Sequence, residues 1–187
     1  MTQSFTQKLS VFAASILLSA FALQSSSALA SLPPDLQAKV ETYKKKLVDW
    51  AANPTIVKAV KDANAKGGML PGMTNGKWDE LSENDPQVTG ILATPASKLL
   101  LQWESDKGIN KLFLRDAKGN KVAGSGKSLI YNAAARPPVK EAMKGAAWNA
   151  SEIRPDPTTQ IKSVHVSAPV MDGGKVIGVL HTAVTAQ

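Results

Sequence analysis

The chain contains no cysteine and only two histidines among its 187 residues. The absence of cysteine excludes disulfide bonds, thiolate nucleophiles, cysteine-ligated zinc and covalently attached haem. It also suits an oxidising compartment, where a free thiol is a liability. Aromatic residues make up only 5% of the chain, and basic residues do not cluster with them. The net charge of +7 is therefore typical of scattered, solvated lysines, and we predict no nucleic-acid partner.

Motifs for catalysis are also lacking. The sequence has no His-Glu-x-x-His motif, no paired carboxylates and no visible Ser–His–Asp arrangement. Residues 124–128 read Gly-Ser-Gly-Lys-Ser, but a phosphate loop requires a glycine where Lys121 stands. We therefore predict that the protein is not an enzyme and uses no cofactor.

The first 30 residues have the pattern of a secretory signal peptide. Lys8 is the sole charge, an apolar run follows over Val11–Leu23, and the segment ends in Ala28-Leu29-Ala30. The apolar run is shorter than the ~20 residues that a spanning helix needs. We expect cleavage after Ala30, a periplasmic or secreted mature chain that begins at Ser31, and no membrane span within it. An uncleaved anchor is the alternative.

The first half of the mature chain has the pattern of helices. Apolar residues at helical spacing predict an amphipathic helix over Leu36–Ala52. The pairs Asn53-Pro54 and Asp85-Pro86 have the chemistry of a cap and a first turn, so each predicts a helix start. Pro95 should restart a helix, and the Gly-, Pro- and Asn-rich stretch Gly67–Asp85 should be mostly loop.

The second half has the pattern of an antiparallel sheet. Two hairpins are predicted, over Lys111–Ser125 and Ile161–Ala186, each with a glycine-containing turn. Between them lie a short helix that starts at Pro137-Pro138 and a strand within Ala147–Ile153. Residues 31–187 therefore predict one α+β domain with about five strands.

The two hairpins carry a family resemblance. Leu112–Ala123 reads Leu-Phe-Leu-Arg-Asp-Ala-Lys-Gly-Asn-Lys-Val-Ala, and Ser167–Leu180 contains Pro-Val, a Gly-Gly turn and Gly-Val-Leu. They resemble the first and the closing hairpin of Cache domains, the PAS-like extracytoplasmic sensor modules. The resemblance covers most of residues 36–186. It implies a long N-terminal helix packed on a five-stranded antiparallel sheet, with a small-molecule pocket on the other face under Gly124–Ile153.

The resemblance also implies which residues hold the ligand. Amino-acid-binding Cache domains have a Tyr, an Arg five residues on, a Trp-Tyr pair and an Asp on the last strand. Tyr131 and Arg136 match the first two, whereas Pro138-Val139 and Ala183 stand at the other positions. The planar fork of Arg136 suits a carboxylate. Without the acidic residue an ammonium group would be unpaired, so we expect a small carboxylate-type metabolite rather than an amino acid.

Three further residues complete the predicted ligand-binding set. Trp148 lies on the strand between the hairpins, Ser125 lies where the chain leaves the first hairpin, and His165 shares a strand face with Ser163 and Ser167. The alternatives are an exposed loop arginine for Arg136, a place in the core lid for Tyr131, plain packing for Trp148 and a hydrogen-bonded, partly buried ring for His165.

The relative position of His165 and His181 depends on the last turn. If residues 172 and 175 pair, His165 opposes Thr182 and the two imidazoles point to opposite faces. A three-residue loop would instead place the imidazoles opposite each other, where they could bind a metal or sense pH. Two ligands are too few for a tight metal site, so we predict none.

We expect a sensing module that signals through a separate membrane-bound receptor or kinase, because the sequence ends at Gln187 soon after the last strand. The alternative is a secreted protein-interaction module with the same fold and no pocket. An open cavity would favour the sensor. A space filled by Leu129, Ile130 and Trp148 would favour the interaction module.

Overall fold

The computed structural model of the protein describes residues 32–157 and 159–187. The predicted signal peptide, residues 1–30, lies outside the described residues. Within the part of the chain that is described, no helix is both long and apolar enough to cross a bilayer.

Helices occupy most of the first half of the described chain, and the strands follow in the second half. The helices are α1 (Pro34–Ala51), α2 (Pro54–Lys66), α3 (Asn75–Glu80), α4 (Pro86–Leu92), α5 (Pro95–Glu104) and α6 (Pro137–Ala142). The strands are β1 (Ile109–Asp116), β2 (Lys121–Gly124), β3 (Trp148–Asn149), β4 (Arg154–Pro155), β5 (Lys162–Asp172) and β6 (Lys175–Thr185).

Proline and polar caps start the helices as predicted. Proline stands at the start of α1, α2, α4, α5 and α6, where its missing N–H is not needed. The side chains of Asn53, Asp85 and Thr94 accept hydrogen bonds from backbone N–H groups in the first turns of α2, α4 and α5. The predicted helix starts at Pro54, Pro86 and Pro95 are therefore confirmed.

The sheet is antiparallel, with the strand order β2-β1-β6-β5-β3. Strand β4 pairs with the first two residues of β5, Lys162 and Ser163. The strand predicted within residues 147–153 is thus only two residues long, and the two-residue strand β4 follows it.

Helices α1, α2 and α5 pack on one face of the sheet. Their core includes alternate residues of β5, namely Val164, Val166, Ala168 and Val170. The predicted α+β class, with a long N-terminal helix against five main strands, is confirmed.

A polar cluster links α1 to the loop that precedes β1. The Tyr43 hydroxyl and the Lys46 ammonium both donate to the carboxylate of Asp106, each at 2.6 Å. The hydrogen bond from Lys46, followed by that from Tyr43, lowers the pKa of Asp106 to about 2. The long helix is therefore fixed to the sheet by an ionic contact as well as by its apolar stripe.

The turn of the last hairpin has two residues, as its glycines predict. Gly173 and Gly174 have φ values of 54° and 79°, which suit the type I′ turn that glycine favours. Asp172 pairs with Lys175 across this turn.

A β-bulge then changes the register of the hairpin. The pairing shifts between residues 170 and 171, and Ile177 is left outside the cross-strand pairs. The extra residue moves the rest of β6 by one position, so that His181 opposes Ser167. Because Ser167 and His165 share a face of β5, both histidines lie on that face. The expectation that a 172–175 pair would place the imidazoles on opposite faces is therefore wrong.

Candidate functional site

A cavity of about 380 Å³ lies on the face of the sheet opposite α1. Side chains of β1, β5 and β6 form its floor, and the segments 127–139 and 148–157 form its walls and cover. Leu129, Ile130 and Trp148 lie in the walls and leave the space open. The cavity thus lies under the chain segment where the family resemblance implies a pocket.

Three of the five predicted ligand-binding residues line this cavity, namely Arg136, Trp148 and His165. The structure places the other two elsewhere. Tyr131 is 1% exposed and packs beside Trp78, with its hydroxyl accepting from the backbone N–H of Leu70 at 2.9 Å.

Ser125 also lies outside the lining. Its hydroxyl accepts a hydrogen bond from the backbone N–H of Leu112 at 2.9 Å, so it supports the β1–β2 hairpin. Both Ser125 and Tyr131 have structural partners of their own. The site is therefore built from Arg136, Trp148 and His165 together with floor residues that sequence analysis did not select.

The walls are largely apolar, and the charged groups among them are mostly cationic. Aromatic and aliphatic side chains such as Phe113, Ile130, Val139 and Trp148 provide apolar surface. The cationic lining residues are Lys111, Arg115, Lys127, Arg136 and Arg154, and the acidic ones are Glu152 and Asp156. The cavity therefore favours an anionic ligand with an apolar body.

Both acidic groups are already engaged by cations. Asp156 lies 3.4 Å from the Lys111 ammonium, and Glu152 lies 2.6 Å from the Arg154 guanidinium. Arg136 is exposed in the cavity wall, and its guanidinium has no ion-pair or hydrogen-bond partner among the described residues. It is thus available for a carboxylate from solution.

A buried arginine forms part of the floor. Arg115 is 1% exposed, donates from Nε to His181 Nε2 at 3.2 Å, and donates from Nη1 to the Tyr131 carbonyl at 2.7 Å. Lys121 lies beside it, fully buried, and donates to the Gly126 carbonyl at 2.7 Å. Burial lowers the pKa of Arg115 to about 10 and that of Lys121 well below its ordinary value.

The two histidines on the floor differ in environment. His181 is almost fully buried, and burial together with the charge of Arg115 holds its pKa well below the ordinary value. His181 is therefore neutral, and since Nε2 accepts from Arg115, Nδ1 carries the proton. His165 stands exposed within the cleft, where the surrounding walls remove enough water to lower its pKa as well.

Sequence analysis missed Lys111 because an irregularity of β1 directs this residue to the cavity. The register of β1 against β6 shifts between Asn110 and Leu112, and Lys111 has a φ of 59°. Its backbone N–H donates to the Glu104 carboxylate at 2.8 Å, which supports this unusual conformation. The sequence of β1 carries no pattern that signals this irregularity in advance.

A metal site is not evident in the described part of the chain. No group of three or more His, Asp or Glu side chains is placed there to hold a metal ion. The hydrogen-bond donors and cations of the lining converge on one open space, an arrangement suited to binding a small molecule.

Comparison with known proteins places this geometry in a structural class. No protein-family model and no curated protein matches the chain. Among solved structures, the sensor domain of the V. cholerae histidine kinase DctB superposes with a TM-score of 0.55 at 17% identity. That match covers 80% of this chain and 50% of that one.

Two chemoreceptor domains also match, at lower TM-scores. The sensory domain of Campylobacter jejuni Tlp3 with isoleucine bound gives 0.42 at 15% identity, covering 82% of this chain and 64% of that one. The ligand-binding domain of the Pseudomonas aeruginosa PAO1 amino acid chemoreceptor PctC with GABA gives 0.38 at 16% identity, covering 79% and 62%. The chain thus spans between half and just under two thirds of these structures. It has the fold of a Cache-type sensor domain.

Proposed function

We propose that this protein is an exported ligand-binding sensor module that takes a small carboxylate-type metabolite into the cavity described above. The observation that carries the proposal is an open, largely apolar cavity with five cationic side chains, of which Arg136 is unpaired. The fold shared with a histidine-kinase sensor domain supports a sensing role. Signalling would then require a separate membrane-bound receptor or kinase that recognises the ligand-bound form.

A carboxylate suits the cavity better than an amino acid does. An ammonium group would need an acidic partner, but Glu152 and Asp156 already pair with lining cations. Burying an unpaired ammonium group beside further cations would be unfavourable. The interaction-module alternative requires a filled pocket, and the open space between the walls favours the sensor.

The test compares ligands first and variants second. A ligand that binds only the folded state raises the melting temperature, so a thermal-shift screen of small carboxylates against their amino-acid analogues identifies the ligand class. Titration calorimetry then compares wild type with Arg136→Ala. Because Arg136 is the unpaired cation of the lining, its loss should weaken the attraction of an anionic ligand, and the variant should bind the carboxylate about tenfold more weakly.

Arg154→Ala is the matched control. It removes the same charge from the same lining, but from a guanidinium that Glu152 already neutralises at 2.6 Å. We expect near wild-type affinity for this variant. Equal affinity in wild type and Arg136→Ala, or tight binding of an amino acid by wild type, would contradict the proposed site.

Export is a separate part of the proposal, and it depends on residues 1–30, outside the described structure. The Ala28-Leu29-Ala30 sequence motivates a mature N-terminus at Ser31. Mass spectrometry of the protein recovered from the periplasm or medium tests this expectation directly. Retention of residues 1–30 would favour the membrane-anchor alternative.

A further inference from the structure

The floor of the cavity carries positive charge that no carboxylate contacts directly. The partners of the buried Arg115 guanidinium are two backbone carbonyls and the neutral His181 imidazole. Asp116 follows in the chain, but its carboxylate accepts from the backbone of Lys118 and from Asn120, where it shapes the β1–β2 turn. Asp116 therefore acts on Arg115 only through its charge, without a direct contact. A buried guanidinium with no carboxylate in contact is unfavourable, and an anion bound against it would offset the cost.

Unused donors face the cavity from this floor. Arg115 Nη2 and the His181 Nδ1–H have no hydrogen-bond partner among the described residues. Neither nitrogen is fully buried, and both residues line the cavity, so the two donors are reachable from the open space. Ser167, directly opposite His181 on the same face, carries the one buried side-chain oxygen in the described chain that lacks a hydrogen bond.

We propose that Arg115 and His181 form an anion-binding position on the cavity floor, separate from Arg136 at the exposed wall, and that this position holds the ligand's carboxylate. The inference rests on the proposed ligand-binding function and refines its ligand class. With the acid group at the floor, the rest of the ligand lies against Phe113, Ile130 and Trp148. The ligand is then a monocarboxylate with a branched or aromatic body rather than a short polar acid.

The two cationic positions act at different stages of binding. Arg136 is exposed, so its attraction reaches into solvent, is screened by salt and acts mainly on the association rate. Arg115 is buried, so its hydrogen bonds form in a medium of low dielectric and act mainly on the dissociation rate. The floor therefore retains the ligand that the wall residue attracts.

The probe for the floor is benzoate, with benzamide as a neutral control of the same shape. The protein is the mature chain labelled with ¹⁵N, in which the two histidines give the only imidazole signals and His165→Gln assigns them. We expect saturating benzoate to shift the His181 Nδ1–H signal strongly, and benzamide to bind at least tenfold more weakly. This measurement needs no change at Arg115.

Variants then separate the two positions. Arg115→Lys keeps the charge and loses the second N–H edge of the guanidinium, so benzoate should dissociate at least tenfold faster. Arg136→Ala should slow association, and the deficit should shrink at high salt. Should Arg115→Lys fail to fold, the His181 signal in the wild-type protein remains decisive.

The outcomes also separate this inference from the proposed function. Unchanged His181 signals at saturation, benzamide binding as tight as benzoate, or no benzoate binding at all would each overturn the floor position. If other carboxylates still raise the melting temperature, the proposed function stands without it. If no carboxylate does so, the proposed function fails, and the floor position fails with it.

Discussion

Lys121 should give this protein an unusual dependence of stability on alkaline pH. The side chain is fully buried, and burial followed by the charge of Arg115 holds its pKa well below the ordinary value of 10.5. In the unfolded chain the same lysine titrates at its ordinary pKa. Between the two pKa values the unfolded state binds more protons, so the free energy of unfolding rises with pH and its contribution is lost as pH falls.

The pH dependence of the free energy of unfolding that Lys121 causes is limited to the binding of one proton. A single differential proton changes the free energy of unfolding by about 1.4 kcal/mol per pH unit, which is the upper limit of the slope due to Lys121. Other shifted groups act outside the window from pH 7 to 9. The pKa values of Arg115, about 10, and Tyr43, about 12, lie above it, and those of both histidines lie below it.

Denaturant unfolding of the mature protein at pH 7, 8 and 9 measures this slope. Lys121→Met keeps the approximate length of the side chain and removes the proton, so the slope should vanish. Its absolute stability also reflects the loss of the hydrogen bond to Gly126, and for that reason the slope is the diagnostic quantity. Lys98→Met, at an exposed helical lysine, should keep the wild-type slope. A flat wild-type profile, or the same slope in Lys121→Met, would refute the reasoning.

The remaining predictions concern acid pH and close packing. His181 has a folded pKa far below 6.5, so stability should fall as pH drops below 6.5, and His181→Gln should flatten that part of a denaturation profile. Asp106, with a pKa of about 2, stabilises the fold above pH 3.8; Asp106→Asn should lower the unfolding free energy at pH 7 by about 1 kcal/mol, allowing for its partial exposure. Gly178→Ala should destabilise by about 1–3 kcal/mol or more, because its Cβ would lie 2.3 Å from the Arg115 carbonyl oxygen, and thermal unfolding measures the loss.

Local sequence signals predicted the elements whose causes are local. Proline with a preceding cap starts a helix by its own chemistry, and a Gly-Gly turn selects its own conformation, so Pro54, Pro86 and Gly173-Gly174 were read correctly. Alternation along β5 likewise placed His165 on one face of the strand with Ser163 and Ser167. These features need no knowledge of the rest of the chain.

The binding site depended on contacts distant in sequence, and there the prediction was less complete. Tyr131 has the residue type of a ligand donor, but its hydroxyl bonds to Leu70, which is 61 residues away in the chain. Arg115 looks like an ordinary strand arginine until β6 places His181 beside it. Lys111 reaches the cavity through a bulge in β1. Of the five residues predicted to bind the ligand, three line the cavity, namely Arg136, Trp148 and His165. They lie on or under the segment that covers the sheet.

The bulge at Ile177 is the feature on which the floor of the site depends, and its cause can be stated physically. A two-residue turn without a bulge would set Thr182 opposite His165, turning His181 toward the helices and Leu180 toward the cavity. That register would bury an imidazole in the apolar core and remove a leucine whose burial contributes about 1.5–3 kcal/mol. One extra residue resolves the conflict between the turn and the apolar pattern of β6: it returns Leu180 to the core cluster and His181 to Arg115. The position of the last apolar residues relative to a turn is therefore a signal for a bulge, and here it also decides which side chains reach the ligand.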